Sequence, residues 1–102
     1  MSTEVINRIQ LLDTGELFVG IEGAGQPSYQ YVYREAAGVY WCNELSGFRS
    51  TKLEKWSCSK WFKQIVAVVK SGLGVELVLG AHVAWNNIPE IEAQEIKHEF
   101  AF

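Results

Sequence analysis

The sequence is poor in the features that mark disordered and membrane-spanning proteins. Only two of its 102 residues are proline, and its longest uninterrupted apolar run, residues 65–69, has five residues. A membrane-spanning helix needs about 20 apolar residues in succession, and disordered chains are depleted in apolar residues. Here hydrophobic residues make up 48% of the chain and charged residues 21%. We therefore expect residues 1–102 to form one globular domain with no membrane as partner.

Cysteine and histidine are equally scarce. Cys42 and Cys58 lie sixteen positions apart, as do His82 and His98, and there is no CxxC or HExxH motif. This spacing matches neither a disulfide framework nor a zinc site, so we expect reduced thiols, no metal and no cofactor. The first residues also lack the basic and apolar segments of a signal peptide, which favours a cytoplasmic protein.

The chain has no large excess of charge of one sign, but its parts differ. The formal net charge is −3. Residues 1–48 and 71–102 each carry four more acidic than basic residues, whereas residues 49–70 carry five more basic than acidic ones. A basic stretch beside Trp56 is typical of a nucleic-acid surface, although the acidic flanks would repel phosphate and disfavour nucleic acid as a partner. The residues of such a surface would be Arg49, Lys52, Lys55, Lys60 and Lys63.

The first half of the chain has the alternation of apolar and polar residues that is typical of short strands. Residues 5–12 and 16–22 predict two strands joined by a tight turn at 13–15. Residues 29–34 and 39–42 predict two more strands. Four short strands with modest connections predict an antiparallel meander. In the first strand, alternation would place Val5, Asn7, Ile9 and Leu11 on one face.

The pattern changes to a helical period over residues 58–71. Ser57 or Ser59 suits the N-cap, and Gly72 suits the left-handed position that follows a last turn. Burial of each large apolar side chain contributes roughly 1.5–3 kcal/mol, so we expect this helix to lie across the sheet as the main core element. Its apolar arc consists of Trp61, Phe62, Ile65, Val66, Val68 and Val69.

A further strand and a second helix complete the predicted fold. Residues 74–79 alternate as a strand, residues 80–87 fit either a strand or a loop, and Pro89 followed by acidic residues marks a helix start. We predict an α+β domain in which an antiparallel β meander packs against one long amphipathic helix, in the order β-β-β-β-α-β-(α). The inner stripe of the last helix would contain Ile91, Ala93, Ile96 and Phe100.

Several strings of residues resemble a known group of proteins. They are INRI at 6–9, LD at 12–13, YQYVYR at 29–34, WS at 56–57, WFKQI at 61–65, GVELVL at 74–79, and Trp85 followed by NIP at 87–89. On these strings the chain resembles small uncharacterised bacterial proteins carried on integron gene cassettes of the mobile metagenome. The loop at 23–28 and the acidic tail lie outside the resemblance. It implies a compact bacterial protein, open to oligomerisation, and it supplies no active-site residues.

Cys58 is the one candidate nucleophile. It lies at a predicted helix N-terminus between Lys55 and Lys60, an environment that can lower the pKa of a thiol. No catalytic signature surrounds it or His82, and a small apolar residue packed into the first helical turn fits the same position. We therefore expect no catalytic residue in this chain.

Aromatic residues are the most unusual feature, at 13% of the chain. Trp61 and Phe62 belong to the predicted core helix, but Tyr29, Tyr31 and Tyr33 would share one strand face. Three buried hydroxyls would each need a partner, so this face suits an interface, a shallow ligand site or a plainly exposed sheet surface. Trp41 is a candidate neighbour of these tyrosines.

The leading functional hypothesis is a non-catalytic binding or interaction module that forms a homodimer or a dimer of dimers, encoded by a bacterial mobile accessory gene. One helix can cover only one side of the sheet, which leaves the other for a second chain. Two alternatives stay open. One is a small-ligand-binding protein or enzyme with a pocket between sheet and helix. The other is a nucleic-acid-associated regulator that uses Lys60 and Lys63.

Overall fold

A computed structural model of the chain describes residues 2–35, 38–50 and 56–100. Within these ranges the chain forms five strands, two α-helices and one 3₁₀ helix, which confirms the α+β class. The predicted order of four strands, a helix, a strand and a final helix is also found, although a different segment supplies one strand. In chain order the elements are β1 (Ser2–Leu11), β2 (Leu17–Ile21), the 3₁₀ helix (Pro27–Glu35), β3 (Val39–Cys42), β4 (Gly47–Ser50), α1 (Cys58–Leu73), β5 (Val75–Asn86) and α2 (Glu90–Phe100).

The strands form one mixed sheet with the spatial order β3-β4-β2-β1-β5. Two hairpins, β1–β2 and β3–β4, join through antiparallel pairing of β2 with β4, whereas β5 runs parallel to β1. The topology is therefore more complex than the predicted meander. A parallel neighbour cannot be reached by a tight turn, and α1 supplies the crossover into β5.

The prediction of a strand at residues 29–34 is wrong, because this segment forms the 3₁₀ helix. In that conformation residues three apart eclipse each other, and Tyr29 and Val32 are accordingly the two buried side chains. Tyr31 is 43% exposed and Tyr33 58% exposed on the outer side. The expected common face of three tyrosines therefore does not exist.

Irregular pairing of β1 explains why simple alternation fails there. Ile6 pairs with Ile21 and Arg8 pairs with Gly20, so β1 advances by two residues while β2 advances by one. Asn7 is therefore the extra residue of a β-bulge. Ile6 and Ile9 consequently both face the core. On the other side, β5 advances from Leu79 to Ala84 while β1 advances from Ile6 to Arg8, so residues 80–83 have no register partner on β1. The segment that fitted either strand or loop is thus an irregular strand.

Both ends of α1 are capped. The Ser57 hydroxyl accepts a hydrogen bond from the backbone N–H of Lys60 at 3.2 Å, which confirms one of the two predicted N-caps. At the other end Gly74, with φ +68°, donates its backbone N–H to the last turn. The predicted position of this cap, Gly72, is wrong because the helix continues through Leu73. A Cβ at Gly72 would lie 2.7 Å from the Glu35 side chain, so a larger residue there would require that exposed side chain to move.

The hydrophobic core lies where α1, α2 and the 3₁₀ helix pack on the sheet. Phe62 and Ile65 are fully buried, as predicted for the inner face of α1, and Phe100 of α2 stacks on Phe62 with ring centroids 4.8 Å apart. Ile91 was expected in the inner stripe of α2 but is 77% exposed. It precedes the buried Ala93 by only two residues, a spacing that puts two side chains on opposite sides of a helix.

The burial of one side of α1 predicts that substitutions at neighbouring positions differ greatly in their effect on the free energy of unfolding. Phe62→Ala should lower the free energy of unfolding by about 3–5 kcal/mol, since it leaves a cavity in the core. Lys63→Ala should change it by less than about 1 kcal/mol, because the Lys63–Glu99 ion pair is exposed. Urea denaturation followed by circular dichroism measures both values. Equal effects of the two substitutions would contradict the inward orientation of Phe62.

Candidate functional site

The described helices all pack on one face of the sheet, and the opposite face carries a different set of side chains. Leu17, Val19 and Ile21 of β2 belong to the core shared with the helices. Phe18 lies between them in sequence and is fully buried outside that core, so it points to the opposite side of the sheet. We call this side the helix-free face. From the strand register it carries Val5, Arg8, Gln10, Phe18, Tyr40, Cys42, Arg49 and Val78.

The centre of the helix-free face is closed by Phe18. Its ring lies over the backbone of two glycines, so a Cβ would come within 2.8 Å of the ring at Gly20 and within 2.5 Å at Gly47. The guanidinium of Arg8 covers the ring, with its carbon 4.8 Å from the centroid. Phe18 is therefore sealed, and it leaves no aromatic surface on which a base or ligand could stack.

A hydrogen-bonded cluster around Glu16 lies beside Phe18 on this face. The Glu16 carboxylate accepts hydrogen bonds from the Thr14 hydroxyl at 2.8 Å, from Arg49 Nη2 at 2.7 Å and from the Tyr40 hydroxyl. Arg49 also places its guanidinium carbon 5.4 Å from the centroid of the Tyr40 ring and its Nη1 atom 4.0 Å from Cys42 Sγ. The cluster ties the start of β2 to β3 and β4.

The electrostatics of this cluster hold each group in one protonation state. Burial by itself would raise the pKa of Glu16, but hydrogen bonds from Tyr40, Thr14 and Arg49, together with the charge of Arg49, lower that pKa below its usual value. Burial and the neighbouring Glu16 raise the pKa of Tyr40 to about 12. At neutral pH the cluster is therefore a carboxylate with three donors, and its oxygens are engaged in holding strands together rather than in general-base chemistry.

The proposed nucleic-acid residues are not brought together into one groove. Arg49 lies on the helix-free face and is paired with Glu16, whereas Lys60 and Lys63 belong to α1 on the other side of the sheet. Lys63 pairs with Glu99 at 2.9 Å, and Lys60 lies 4.6 Å from the centroid of the Trp56 ring. The two remaining candidates, Lys52 and Lys55, lie outside the described residues.

The candidate nucleophile Cys58 is buried at the first turn of α1. Burial first, and then the nearby charge of Glu92, raise the pKa of its thiol to about 11. The Glu92 carboxylate also accepts a hydrogen bond from the backbone N–H of Ser59 at 3.3 Å. At neutral pH Cys58 is accordingly a protonated thiol, which is a poor nucleophile.

Of the aromatic candidates, the structure brings Tyr29 and Trp41 together and leaves Tyr31 and Tyr33 apart. Tyr29 is buried, and its hydroxyl donates to Glu4 Oε2 at 2.6 Å. The Trp41 ring packs edge-on against Tyr29, with centroids 5.4 Å apart, and against Phe48, with centroids 5.0 Å apart. Tyr29 is therefore a core residue, and Trp41 is a fixed, partly exposed ring beside it.

An open cleft of about 420 Å³ adjoins Trp41. It lies between the loop that follows β2, the start of the 3₁₀ helix and the end of β3, rather than between sheet and α1. Sequence reasoning named Trp41 but missed the cleft, because residues 23–28 looked like a plain loop and residues 29–34 like a strand. The residues that line it are Ala24, Gly25, Gln26, Pro27, Gln30, Trp41 and Asn43.

The described residues contain neither a cluster of metal-ligating side chains nor a helix suited to cross a membrane. Over residues 2–35, 38–50 and 56–100, no three His, Cys, Asp or Glu side chains come together as metal ligands would. No helix in the same ranges combines the length and the apolar content needed to cross a membrane.

Comparison with known proteins gives the family. A family model described as Integron Cassette Protein Hfx_Cass5 matches residues 11–83. The chain belongs to this family. The resemblance to integron cassette proteins that the sequence strings indicated is thereby confirmed.

A solved structure from the same family also matches. Its description is "Structure from the mobile metagenome of North West Arm Sewage Outfall: Integron Cassette Protein Hfx_Cass5", and it is 33% identical to this chain. The match covers 100% of this chain and 99% of that chain, with a TM-score of 0.43. The curated proteins contain no match. An origin in a mobile accessory gene is consistent with this family, whose description names no ligand or reaction.

Protonation of Glu16 is expected to destabilise the fold. Because the folded protein holds the pKa of Glu16 below its usual 4.5, the carboxylate contributes stability at higher pH that is lost as the pH falls through the folded-state pKa. Glu16→Gln should therefore lower the free energy of unfolding at neutral pH and flatten its decline below about pH 4.5. Urea unfolding at a series of pH values measures this decline. Glu95→Gln, at an exposed position of α2, is the matched control, and an equal decline in Glu16→Gln and the native protein would contradict the role of the cluster.

Proposed function

We propose that this integron cassette protein is a non-catalytic, homodimeric interaction module whose two copies associate through the helix-free face. The observation that supports this proposal is the packing of every described helix on one side of the sheet. The cytoplasm is the proposed location, because Cys42 and Cys58 are free thiols, as expected in a reducing compartment. A bacterial host and, as a further level of assembly, a dimer of dimers belong to the same proposal.

The helix-free face has apolar residues that a second sheet could cover. Val5 and Val78 lie opposite each other on β1 and β5 and are only half-buried. Near Arg8 a depression of about 340 Å³ is bordered by Leu45 and Ala84, and the Leu45 side chain is 43% exposed. Sheets that pack face to face interdigitate side chains in this way, with a separation of about 10 Å.

The charges of this face are self-complementary. Arg8 forms no ion pair within the described part of the chain. Glu22 directly follows β2 and lies beside Val5, two residues after Gly20, which is the register partner of Arg8. The Glu22 Oε2 atom lies 3.8 Å from the Cβ position of Gly80. A twofold axis in the interface, midway between Arg8 and Glu22, places each Arg8 opposite the Glu22 of the other copy. This pairing of opposite charges is expected for an interface with a second copy of the chain rather than with a strongly charged partner.

The proposed interface on the helix-free face differs from the one that the sequence predicts. The sequence predicts an interface of Tyr29, Tyr31 and Tyr33, with Trp41 as their neighbour. Tyr29 and Trp41 pack in or against the core on the helix-covered side. The exposed rings of Tyr31 and Tyr33 lie on the 3₁₀ helix, and Tyr31 is already covered in part by Arg34, whose guanidinium carbon is 4.3 Å from the ring centroid.

A charge-reversal experiment tests the proposed dimer. Arg8→Glu and Glu22→Arg should each place like charges across the interface and weaken dimerisation by at least about tenfold, because like-charge contacts cost several kcal/mol. The double variant should restore dimerisation, since it reverses both partners of the pair. Sedimentation velocity at micromolar concentration measures the dissociation constants of the native chain, the two single variants and the double variant. Arg34→Glu is the matched control and should leave the dimer intact.

Three outcomes would contradict the proposed interface. The native chain could sediment as a monomer of 11.5 kDa. The double variant could remain as weak as the single variants. Finally, Tyr31→Glu could dissociate a dimer that Arg8→Glu leaves intact, which would place the interface on the 3₁₀ helix.

A further inference from the structure

The cleft beside Trp41 has the size and the fixed walls of a small-ligand site. Its volume of about 420 Å³ falls in the range of roughly 300–1,000 Å³ that is typical of such sites. It lies off the helix-free face, because Trp41 alternates along β3 with Tyr40 and Cys42, which point to that face. The cleft is therefore independent of the proposed dimer interface.

The lining of the cleft combines one indole with three carboxamides. Gln26, Gln30 and Asn43 each offer a hydrogen-bond donor and an acceptor, and no described residue of the lining is ionisable. Carboxylate and phosphate ligands are usually held by charged donors, which this lining does not provide. Hydroxyl groups, which donate and accept at once, match carboxamides directly.

The indole is held in a single position. A Cβ at Gly25 would lie 2.6 Å from Cζ2 of Trp41, and Gly25 has φ +82°, so the loop can pass the ring only with glycine there. Tyr29 and Phe48 support the ring edge-on from the core side. A rigid, flat apolar surface loses little conformational entropy when a ligand packs on it.

We propose that this cleft binds a neutral carbohydrate, with a sugar ring packed on the Trp41 indole and its hydroxyls hydrogen-bonded to Gln26, Gln30 and Asn43. A pyranose has the required combination, since its C–H groups form an apolar face and its hydroxyls project from the rim. The uncharged lining selects neutral sugars over uronic or sialic acids.

Two-dimensional NMR of the ¹⁵N-labelled full chain tests this proposal. The probes are maltotriose, cellotriose and chitotriose, with glucuronic acid and sialic acid as charged counterparts and a proline-rich peptide as a different class of ligand. We expect at least one neutral oligosaccharide to shift the Trp41 indole N–H and the side-chain amides of the cleft in a saturable way. The charged sugars and the peptide should cause no saturable shift at these positions.

Substitutions of the exposed carboxamides test the hydrogen bonds without disturbing the core. Gln26→Ala and Gln30→Ala should each weaken binding about threefold to tenfold, the range for loss of one hydrogen bond. Gln94→Ala, an exposed carboxamide on α2, is the matched control and should leave binding unchanged. Arg8→Glu should also leave binding unchanged, so that failure of the dimer and failure of the cleft are distinguishable.

The proposal is overturned if no neutral saccharide gives a saturable shift at about 10 mM, a concentration at which even millimolar binding is detectable. It is also overturned if the shifts are insensitive to Gln26→Ala and Gln30→Ala. Stronger binding of the charged sugars or of the proline-rich peptide would assign the cleft to another class of ligand.

Discussion

The packing of α1 across the sheet is the interaction on which the rest of the structure depends. Phe62, Ile65 and Val69 are fully buried against the core face of the strands. Because the described helices are all on that side, the other side of the sheet has to be closed by its own side chains. Arg8 over Phe18 seals its centre, and the cluster around Glu16 holds its β3 end. One sheet thus has one face that packs on the helices and defines the fold, and a second face that is closed by its own side chains.

Elements specified by local pattern could be predicted, and elements specified by distant contacts could not. The helix α1 has a 3.6-residue period and a serine cap, both visible within its own residues. Residues 29–34 alternate like a strand but form the 3₁₀ helix, in which Tyr29 is buried against Trp41, a residue distant in the sequence. The four-residue β4 was missed because it is short and begins with glycine, and its pairing with β2 depends on a register that no local pattern encodes.

The candidate sites show the same limit. Arg49 belongs to the basic segment of the sequence, but its partner Glu16 lies 33 positions earlier in the chain, and their pairing holds it on the side of the sheet opposite Lys60 and Lys63. Trp41 was named from its residue type alone. Its setting depends on Gly25, in the loop before the 3₁₀ helix, and on Gln30, within that helix. Residue type therefore indicated which side chains are chemically unusual, whereas long-range contacts determine which of them are available to a ligand.

Neighbouring residues of β3 connect the two proposed surfaces. Tyr40 donates its hydroxyl to Glu16 on the helix-free face, whereas Trp41 points to the other side and borders the cleft. Since β3 pairs with β4 through all four of its residues, a shift of this strand would break hydrogen bonds of the ladder as well as the Tyr40–Glu16 contact. The ligand packing proposed for Trp41 would therefore rest on a strand that is held on both sides of the sheet. This constraint would allow one short edge strand to serve the proposed ligand site on one side of the sheet and the proposed interface on the other.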